Sequence, residues 1–357
     1  MRKGKSYLKN SQDLIQILES TKYNQQDITL VSADVNELYP SIPIHDGLNA
    51  LKFTISKENW NEDQINFIYD LAEFVLTNNI FTFKDKTYIQ IFGTAMGTCF
   101  AVAYANIFLD HLEHQVWKKF TKDINFNKAY YPFMIKRYIA DILAIFPSKD
   151  NDSSAKLYVN IYNNMFPSIK LTTEMSSEQI NILDITIFKG QRFLENNILD
   201  IKTFQKPINK YLYIPQSSFH SSSIKKGFIS SELRRYRLNC SNHNDFLNIK
   251  NLFFQRLLKR EYSALFLNKI FNKNLCRNTI LEQIENNNQS NTKDNKSIPN
   301  IFKIKFNTRI KNKEIKQCIH IPQDLTQHPQ FLSIFKGQQP TICNIRNRNI
   351  QNILISN

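Results

Sequence analysis

The sequence predicts an α+β fold, in which an antiparallel sheet carries helices on one face and a basic helical region follows. Three observations support this prediction. Strand-like and helix-like segments are mixed without strict βαβ repetition, an apolar run at 136–146 has the pattern of a hairpin, and cations gather in helix-like segments after residue 205. With 357 residues, 42% of them hydrophobic, the chain is long enough for one large domain or two ordinary ones.

The first part of the chain is expected to hold helices around one buried strand. Residues 6–20 have the apolar spacing of a helix, with Ser11 as a candidate N-cap. Residues 27–35 have the composition of a buried strand that ends near Asp34. The two prolines that follow prevent a long regular element there. Further helices are predicted over 46–55 and 63–76.

The middle of the chain is organised around the run 136–146, which we expect to form a strand, a tight turn and a second strand. Asp141 lies at or beside that turn. A carboxylate in an apolar run costs free energy unless a cation, a metal or hydrogen bonds compensate it. The neighbouring segments are predicted as a hairpin at 81–90, a loop at 90–98, helices at 101–120 and 152–166, and paired strands at 170–174 and 179–188.

The composition changes after residue 205. Helix-like basic segments cover 224–238 and 244–273, and residues 285–299 are low in complexity. We therefore expect an N-terminal helical segment at 1–31, a sheet domain at 32–205, a basic helical region at 206–284, a flexible linker at 285–299 and a C-terminal tail at 300–357.

The charge of the chain predicts a polyanionic partner. Lys and Arg number 46 against 31 Asp and Glu, a net charge of +15, and nucleic acid is the leading candidate. The alternative is a basic protein without such a partner. Five widely spaced Cys without a CxxC pair argue against a disulfide framework and a zinc site. No signal peptide or membrane-spanning stretch is visible, so we expect an intracellular protein with no membrane partner.

Two strand-end carboxylates, Asp34 and Asp141, are the candidate catalytic and metal-binding pair. Phosphoryl transfer with two metal ions needs carboxylates that bridge Mg²⁺ ions a few Å apart. Such carboxylates can come from distant positions in sequence if their strands end at the same edge of a sheet. The alternative for Asp141 is an ordinary turn aspartate.

Several blocks of the sequence occur in a characteristic order. The first runs from Asp34 to Pro43, the second from Gln90 to Gly97, and the third from Arg137 to Ile142. Later blocks are Asn181–Asp184, Lys206–Pro207, Ser218–His220, Arg234–Ser241 and 345–354. In their order and in their residues, these blocks resemble the sequence blocks of reverse transcriptases, most closely those of Penelope-like retroelements. The resemblance is patchy but covers residues 6–354, and it implies a palm at 32–205 and a thumb-like region at 206–284.

The resemblance assigns roles to particular residues. It implies RNA-directed DNA polymerisation on an RNA template and a DNA primer, in the nucleus, with Mg²⁺ or Mn²⁺ held by Asp34 and Asp141. It further implies that the Val35 carbonyl is a minor metal ligand and that Tyr39 crowds a ribose 2′-hydroxyl. The residues expected to line the nascent base pair are Gln90, Gly93 and Met96. The residues expected to contact nucleic acid are Lys225, Lys226, Arg234, Arg235 and Arg237. The alternatives are structural: Tyr39 in the core, Gln90 on a strand surface, and turn-forming glycines.

Two departures from the family pattern bear on activity. Ala140 stands where the family has the first aspartate of a pair, and a methyl group cannot coordinate Mg²⁺. The first block begins 34 residues from the start, so we expect the fingers subdomain, which holds the triphosphate, to be missing. The family's GIY-YIG nuclease is not recognisable either. Three hypotheses remain open: an active polymerase, a non-catalytic nucleic-acid-binding protein, and a retroelement relic.

Overall fold

The central element is a four-stranded antiparallel sheet. The structure of the chain is a computed structural model, which describes residues 6–24, 27–148, 151–290, 301–305 and 341–345. In order across the sheet, its strands are β4 (Met134–Tyr138), β5 (Asp141–Pro147), β1 (Ile28–Val35) and β6 (Leu171–Ser176). β1 is buried over most of its length because it lies between two other strands. The sheet therefore holds its central strand firmly up to the point where Asp34 emerges.

Helices pack against this sheet through a large apolar cluster. Leu51, Phe108 and Tyr162, from three different helices, join Val31 and Phe146 of the sheet in the cluster. The helices of this part of the chain are α1 (Ser11–Ser20), α2 (Leu38–Ser41), α3 (Ile44–Ile55), α4 (Glu62–Thr77), α5 (Ala101–Asp123) and α6 (Ser153–Met165). The cap of α1 differs from the prediction, because Asn10, not Ser11, accepts the hydrogen bond from the Asp13 amide.

A second, three-stranded sheet corrects one predicted strand pairing. Its strands are β7 (Gln179–Ile182), β8 (Ile185–Phe188) and β9 (Asp200–Thr203), in that order. The stretch 179–188 is thus a hairpin in itself, and β6 pairs with β1 instead of with it. Two residues, Leu183 and Asp184, separate β7 from β8, and Leu183 has a φ of 52°. The alternation of apolar and polar residues correctly predicts strands here, but it does not identify which strand pairs with which.

Another hairpin stands apart from both sheets. It is formed by β2 (Ile80–Phe83) and β3 (Lys86–Ile89), which pair only with each other among the described strands. Every residue of both strands is exposed. The remaining described elements are a short 3₁₀ helix (Lys128–Tyr130), α7 (Gln191–Asn196), α8 (Ser222–Leu238), α9 (His243–Leu258), α10 (Ala264–Phe271), α11 (Arg277–Ser290), β10 (Ile301–Lys305) and β11 (Thr341–Ile345).

The chain divides into two compact units. One consists of residues 1–211 and 235–253, and the other of residues 212–234 and 254–357. The first contains the central sheet, the three-stranded sheet and the β2–β3 hairpin. The predicted helical region at 244–273 is two helices, α9 and α10, and α11 extends to Ser290 inside the segment predicted as a linker. The predicted division into palm, thumb-like region, linker and tail stays a prediction.

Candidate functional site

One row of side chains crosses the central sheet at the end of β1. Asp34 lies directly opposite Asp141 on β5 and directly opposite Thr172 on β6. Asp141 in turn lies opposite Tyr138 on β4. Directly opposed residues of antiparallel strands project from the same face, with Cβ atoms roughly 5 Å apart. The structure therefore brings the two predicted carboxylates, 107 positions apart in sequence, next to each other.

The row is placed by the tight turn between β4 and β5. Ile139 and Ala140 form this turn, and the Val35 amide donates to the Ala140 carbonyl at 3.2 Å. Ile139 has a φ of 54°, a left-handed conformation that is unfavourable for a β-branched residue. Interactions around the turn must offset that cost.

Arg137 supplies such interactions. The side chain is only 1% exposed, and its Nη1 donates to the Ile139 carbonyl at 3.1 Å. The same guanidinium donates through Nε to Glu113 at 2.6 Å and through Nη1 to Asn106 at 2.8 Å, both on α5. The Ser6 hydroxyl donates to the other Glu113 oxygen at 2.5 Å. This network fastens the turn to the long helix and to the N-terminal segment.

The electrostatics of the row favour a cation. Burial raises the pKa of the Asp141 carboxyl, the adjacent Asp34 charge raises it further, and Lys206 partly opposes both effects. Two carboxylates held side by side repel each other, so that proton or metal binding relieves the repulsion.

The donor set of the row meets part of what a divalent ion needs. Asp34 and Asp141 would supply carboxylate oxygens to one hydrated Mg²⁺, which commonly takes one or two protein carboxylates. Within the described ranges no group of three or more His, Cys, Asp or Glu side chains is arranged to hold a metal ion. Position 140, at the turn, contributes a methyl group. The residues present thus fit one ion, and they lack the further carboxylate that a two-ion centre would use.

A cavity of about 500 Å³ adjoins Asp141 within the first unit. Tyr138, Asp184, Lys206 and Arg235 are among the residues that line it. Asp184 accepts from Arg235 Nη1 at 2.6 Å and from Asn239 Nδ2 at 2.8 Å, while its Oδ1 is buried without a hydrogen-bond partner. Cations and carboxylates therefore face the same open space beside the strand-end row. The sequence pointed to Asp184 only as part of a block and to Lys206 only through a dipeptide.

The predicted nucleotide-contacting residues lie in the segments that flank the row. The carbonyl of Tyr39, which is half-buried against the core, accepts from the Thr94 amide at 2.9 Å. Gly93 packs so tightly on α2 that a Cβ there would lie 2.5 Å from the Pro40 Cα. The loop at 90–98 is thereby fastened to α2, the short helix that follows β1 in sequence.

The remaining predicted nucleotide contacts are solvent-accessible or backbone groups. Met96 is 74% exposed. The Gln90 side chain donates to the Phe92 carbonyl at 2.8 Å, so it is partly occupied within its own loop. The Val35 side chain is buried, and its amide bonds to the turn. The roles that the resemblance implies for these residues stay predictions.

The five predicted nucleic-acid-binding cations differ in their surroundings. Lys225 is buried, and its ammonium donates to the Gln216 carbonyl, so its charge is used within the chain. Arg235 bonds to Asp184, and Arg237 donates to the Cys240 carbonyl at 2.9 Å. These contacts give all three a structural role that the sequence did not indicate.

The other two cations are more accessible. Lys226 is exposed on α8, with its ammonium 6.0 Å from the centre of the Phe266 ring, and Arg234 is half-buried on the same helix. Phosphate binding by the five predicted cations remains a prediction. Lys226 and Arg234 are better placed for it than the other three, because their side chains are more accessible or less occupied by contacts within the chain.

Comparisons with known proteins bear on the fold. No protein-family model and no curated protein matches the chain. Among solved structures, telomerase from Candida albicans in complex with a TWJ fragment of telomeric RNA matches with a TM-score of 0.53 and 11% identity, over 79% of this chain and 47% of that one. An RNA-dependent RNA polymerase of BmCPV at its elongation state has a TM-score of 0.49 and 16% identity, over 68% and 21%.

The telomerase likeness defines the class of fold. The chain has a nucleic-acid-polymerase-like α+β fold, with an antiparallel sheet and packed helices as the sequence predicts. At 11% identity the likeness extends to the fold alone. The chain spans about half the length of that telomerase. Across the described ranges, no helix is both long and apolar enough to cross a membrane.

Proposed function

We propose that this chain is a reverse-transcriptase domain related to those of Penelope-like retroelements, which binds an RNA template paired with a DNA primer but polymerises poorly or not at all. The observation that carries the proposal is the register of β1 and β5. It sets Asp34 opposite Asp141 where their two strands meet the β4–β5 turn, with Ala140 in that turn. The polymerase-like fold and the net charge of +15 support it.

In this proposal Asp34 and Asp141 would hold one Mg²⁺ or Mn²⁺. A bound ion would supply charge stabilisation to a transferring phosphoryl group. Tyr39 would limit the space beside the ribose, while Gln90, Gly93 and Met96 would contact the incoming base pair. Ala140 removes an oxygen ligand, and we infer that the loss of transition-state stabilisation costs several powers of ten in rate, each power being about 1.4 kcal/mol.

The proposal is tested first by primer extension. An oligonucleotide-primed RNA is incubated with the full chain, deoxynucleotides, and either Mg²⁺ or Mn²⁺, beside an active reverse transcriptase as a positive control. We expect no extension above the level of an Asp34→Asn variant. Extension that is robust and absent in Asp34→Asn would overturn the impaired activity and favour an active polymerase.

Binding is tested separately with an RNA–DNA duplex across a range of salt concentrations. We expect sequence-independent affinity that falls as salt rises, because Lys and Arg displace counterions from phosphates. The double variant Lys226→Ala/Arg234→Ala should reduce the slope of log K against log salt by about 0.9 for each phosphate that the chain no longer neutralises. The matched control is Lys84→Ala/Lys86→Ala, which removes the same charge from the tip of the β2–β3 hairpin. Affinity that ignores salt would contradict the binding part of the proposal.

A second candidate function is binding without chemistry. Ala140 favours it, since nucleic-acid binding needs cations but no metal cage. Salt-dependent duplex binding together with absent extension, even after Ala140→Asp, would support this alternative over an impaired enzyme.

A further inference from the structure

α4 has two apolar faces, and the fold buries one of them. Ala72 and Leu76 are buried in the central cluster, with Ile65, Ile68 and Tyr69 packed against it. The opposite side carries Phe67, Leu71 and Phe74, which are exposed by 67, 52 and 63%. Their spacing of four and three residues aligns them as one stripe along the helix. A helix that is apolar on both sides is normally covered on both sides.

The β2–β3 hairpin continues this apolar surface along the chain. It begins three residues after α4 ends, and its exposed side chains include Ile80, Phe81, Phe83, Tyr88 and Ile89. Phe81 and Tyr88 stack across the two strands, with ring centres 5.5 Å apart. A lone two-stranded hairpin is marginally stable in water and gains stability from packing against a further element. Phe81, Phe83 and Tyr88 project from one side of the hairpin, whereas Ile80 and Ile89 project from the other, because side chains alternate along each strand. We call the stripe together with Phe81, Phe83 and Tyr88 the acidic apolar face.

The size of the acidic apolar face suits a protein partner. If each of its six side chains exposes roughly 100 Å², about half of what an aromatic side chain can bury, the total is about 600 Å². The largest apolar patch on a typical monomer is about 300–600 Å². One partner's share of a standard protein interface is about 800 Å².

The charge around the face indicates the chemistry of that partner. Between Glu58 and Ile89 the chain has six acidic residues against two Lys, both at the tip of the hairpin, although its net charge is +15. Asp63, Asp70 and Glu73 are exposed and flank the stripe at helical spacing. Carboxylates in these positions repel a phosphate backbone and a second copy of the same face, whereas they attract Lys and Arg.

We propose that the acidic apolar face binds a basic amphipathic helix of a partner protein. The apolar side chains of that helix would pack along the stripe and against the hairpin, and its Lys or Arg side chains would pair with Asp63, Asp70 and Glu73. This is recognition of a helix by a complementary apolar surface with charged flanks. It requires neither polymerase activity nor nucleic-acid binding.

The test uses the full chain, freed of nucleic acid, and two synthetic amphipathic helical peptides. One consists of Leu and Lys, and the other has the same sequence with Glu in place of every Lys. Binding is followed by fluorescence anisotropy of labelled peptide, and the contact region by hydrogen exchange. We expect the Leu–Lys peptide to bind, to slow exchange in 62–77 and 80–89, and to bind at least tenfold more weakly to Phe67→Ser/Leu71→Ser/Phe74→Ser. Asp63→Asn/Asp70→Asn/Glu73→Gln should also weaken it.

The matched control is Leu194→Ser/Ile208→Ser, which removes exposed apolar side chains elsewhere and should leave binding unchanged. Circular dichroism and thermal melting establish that each variant is folded, and only folded variants are compared. Equal binding of the Leu–Lys peptide to the wild type and to the triple Ser variant would overturn the proposal. So would concentration-dependent self-association that the triple Ser variant abolishes, because a second copy would then cover the face. Leu–Glu binding that the triple Ser variant reduces equally would contradict the charge argument.

Discussion

Residue 140 decides how many oxygen atoms the strand-end row offers to a metal ion. We predict that Ala140→Asp will tighten Mn²⁺ binding by at least about tenfold, equivalent to 1.4 kcal/mol. A third carboxylate at the turn would complete a set that Asp34 and Asp141 leave partial. The measurement is the rise in melting temperature with Mn²⁺, which reports binding to the folded state. Ala140→Asn, of similar size but neutral, is the control, and equal effects of Asn and Asp would contradict a metal at the turn.

Asp141 should make stability depend on pH in a direction that can be worked out. Its folded-state pKa is raised by burial and by Asp34, above the unfolded value of about 3.9. The folded state therefore binds more protons, and stability falls as pH rises from the unfolded pKa through the folded one. Asp141→Asn should raise the melting temperature at pH 7 in metal-free buffer, and the gain should vanish toward pH 3. A gain that is constant across pH would show that titration is not its cause.

Arg137 is predicted to matter through its buried ion pair with Glu113. Arg137→Met alone leaves the Glu113 charge unpaired and should cost about 3–5 kcal/mol. In the double variant Arg137→Met/Glu113→Leu no charge is left unpaired, so its cost should be clearly below the sum of the two single costs. Denaturant unfolding of all four proteins gives the coupling free energy. Additive costs would mean that the pair does not act as a unit.

Single residues differ in how far their environment follows from sequence. Asp34 and Asp141 could be proposed as a pair because each interrupts or ends an apolar strand-like run. The roles of Arg137 and Lys225 could not be predicted, since their partners, Glu113 and the Gln216 carbonyl, are set by tertiary packing. The sequence shows that Arg137 and Ile139 are two residues apart, but it does not show that the Arg137 side chain donates a hydrogen bond to the Ile139 carbonyl.

At the scale of elements, the loop 90–98 has two glycines in the left-handed region with very different surroundings. Gly93 has a φ of 74° and faces the Pro40 backbone, whereas Gly97 has a φ of 90° and has no atom within 4 Å of where a Cβ would lie. We predict that Gly93→Ala destabilises the chain by at least about 2 kcal/mol, and Gly97→Ala by about 1–2 kcal/mol from backbone strain alone. Urea unfolding of the two variants measures the difference, and equal costs would mean that α2 yields to the added methyl group.

Element types were predicted well from local pattern, while partners and boundaries were not. The hairpins at 80–89 and 134–147 follow from alternating apolar runs around polar turns. The pairing of β6 with β1 joins residues about 140 positions apart, and no local pattern specifies it. α9 and α10 share one helical pattern, because the break at 259–263 contains neither Gly nor Pro.

At the scale of the whole molecule, the net charge is unevenly distributed along the chain. Residues 291–357 contain eleven Lys and Arg against three acidic residues, so they carry eight of the fifteen net positive charges. The segment that forms the acidic apolar face has the opposite balance, with more acidic than basic residues. A basic chain thus combines a strongly cationic C-terminal part with one acidic surface, and a nucleic acid and a basic protein segment would be drawn to different parts of it.

The last prediction separates the fold from this charge. The core side chains whose burial the structure describes lie between Leu8 and Ile280, and β10 and β11 pair only with each other among the described strands. A chain ending at Ser290 should therefore keep the cooperative melting transition of the first unit within a few degrees. It should bind an RNA–DNA duplex more weakly at low salt, with a shallower slope of log K against log salt, if the removed cations bind phosphates. An unchanged slope would assign duplex binding to residues before 291, and an aggregated or non-cooperative product would show that the C-terminal part stabilises the core.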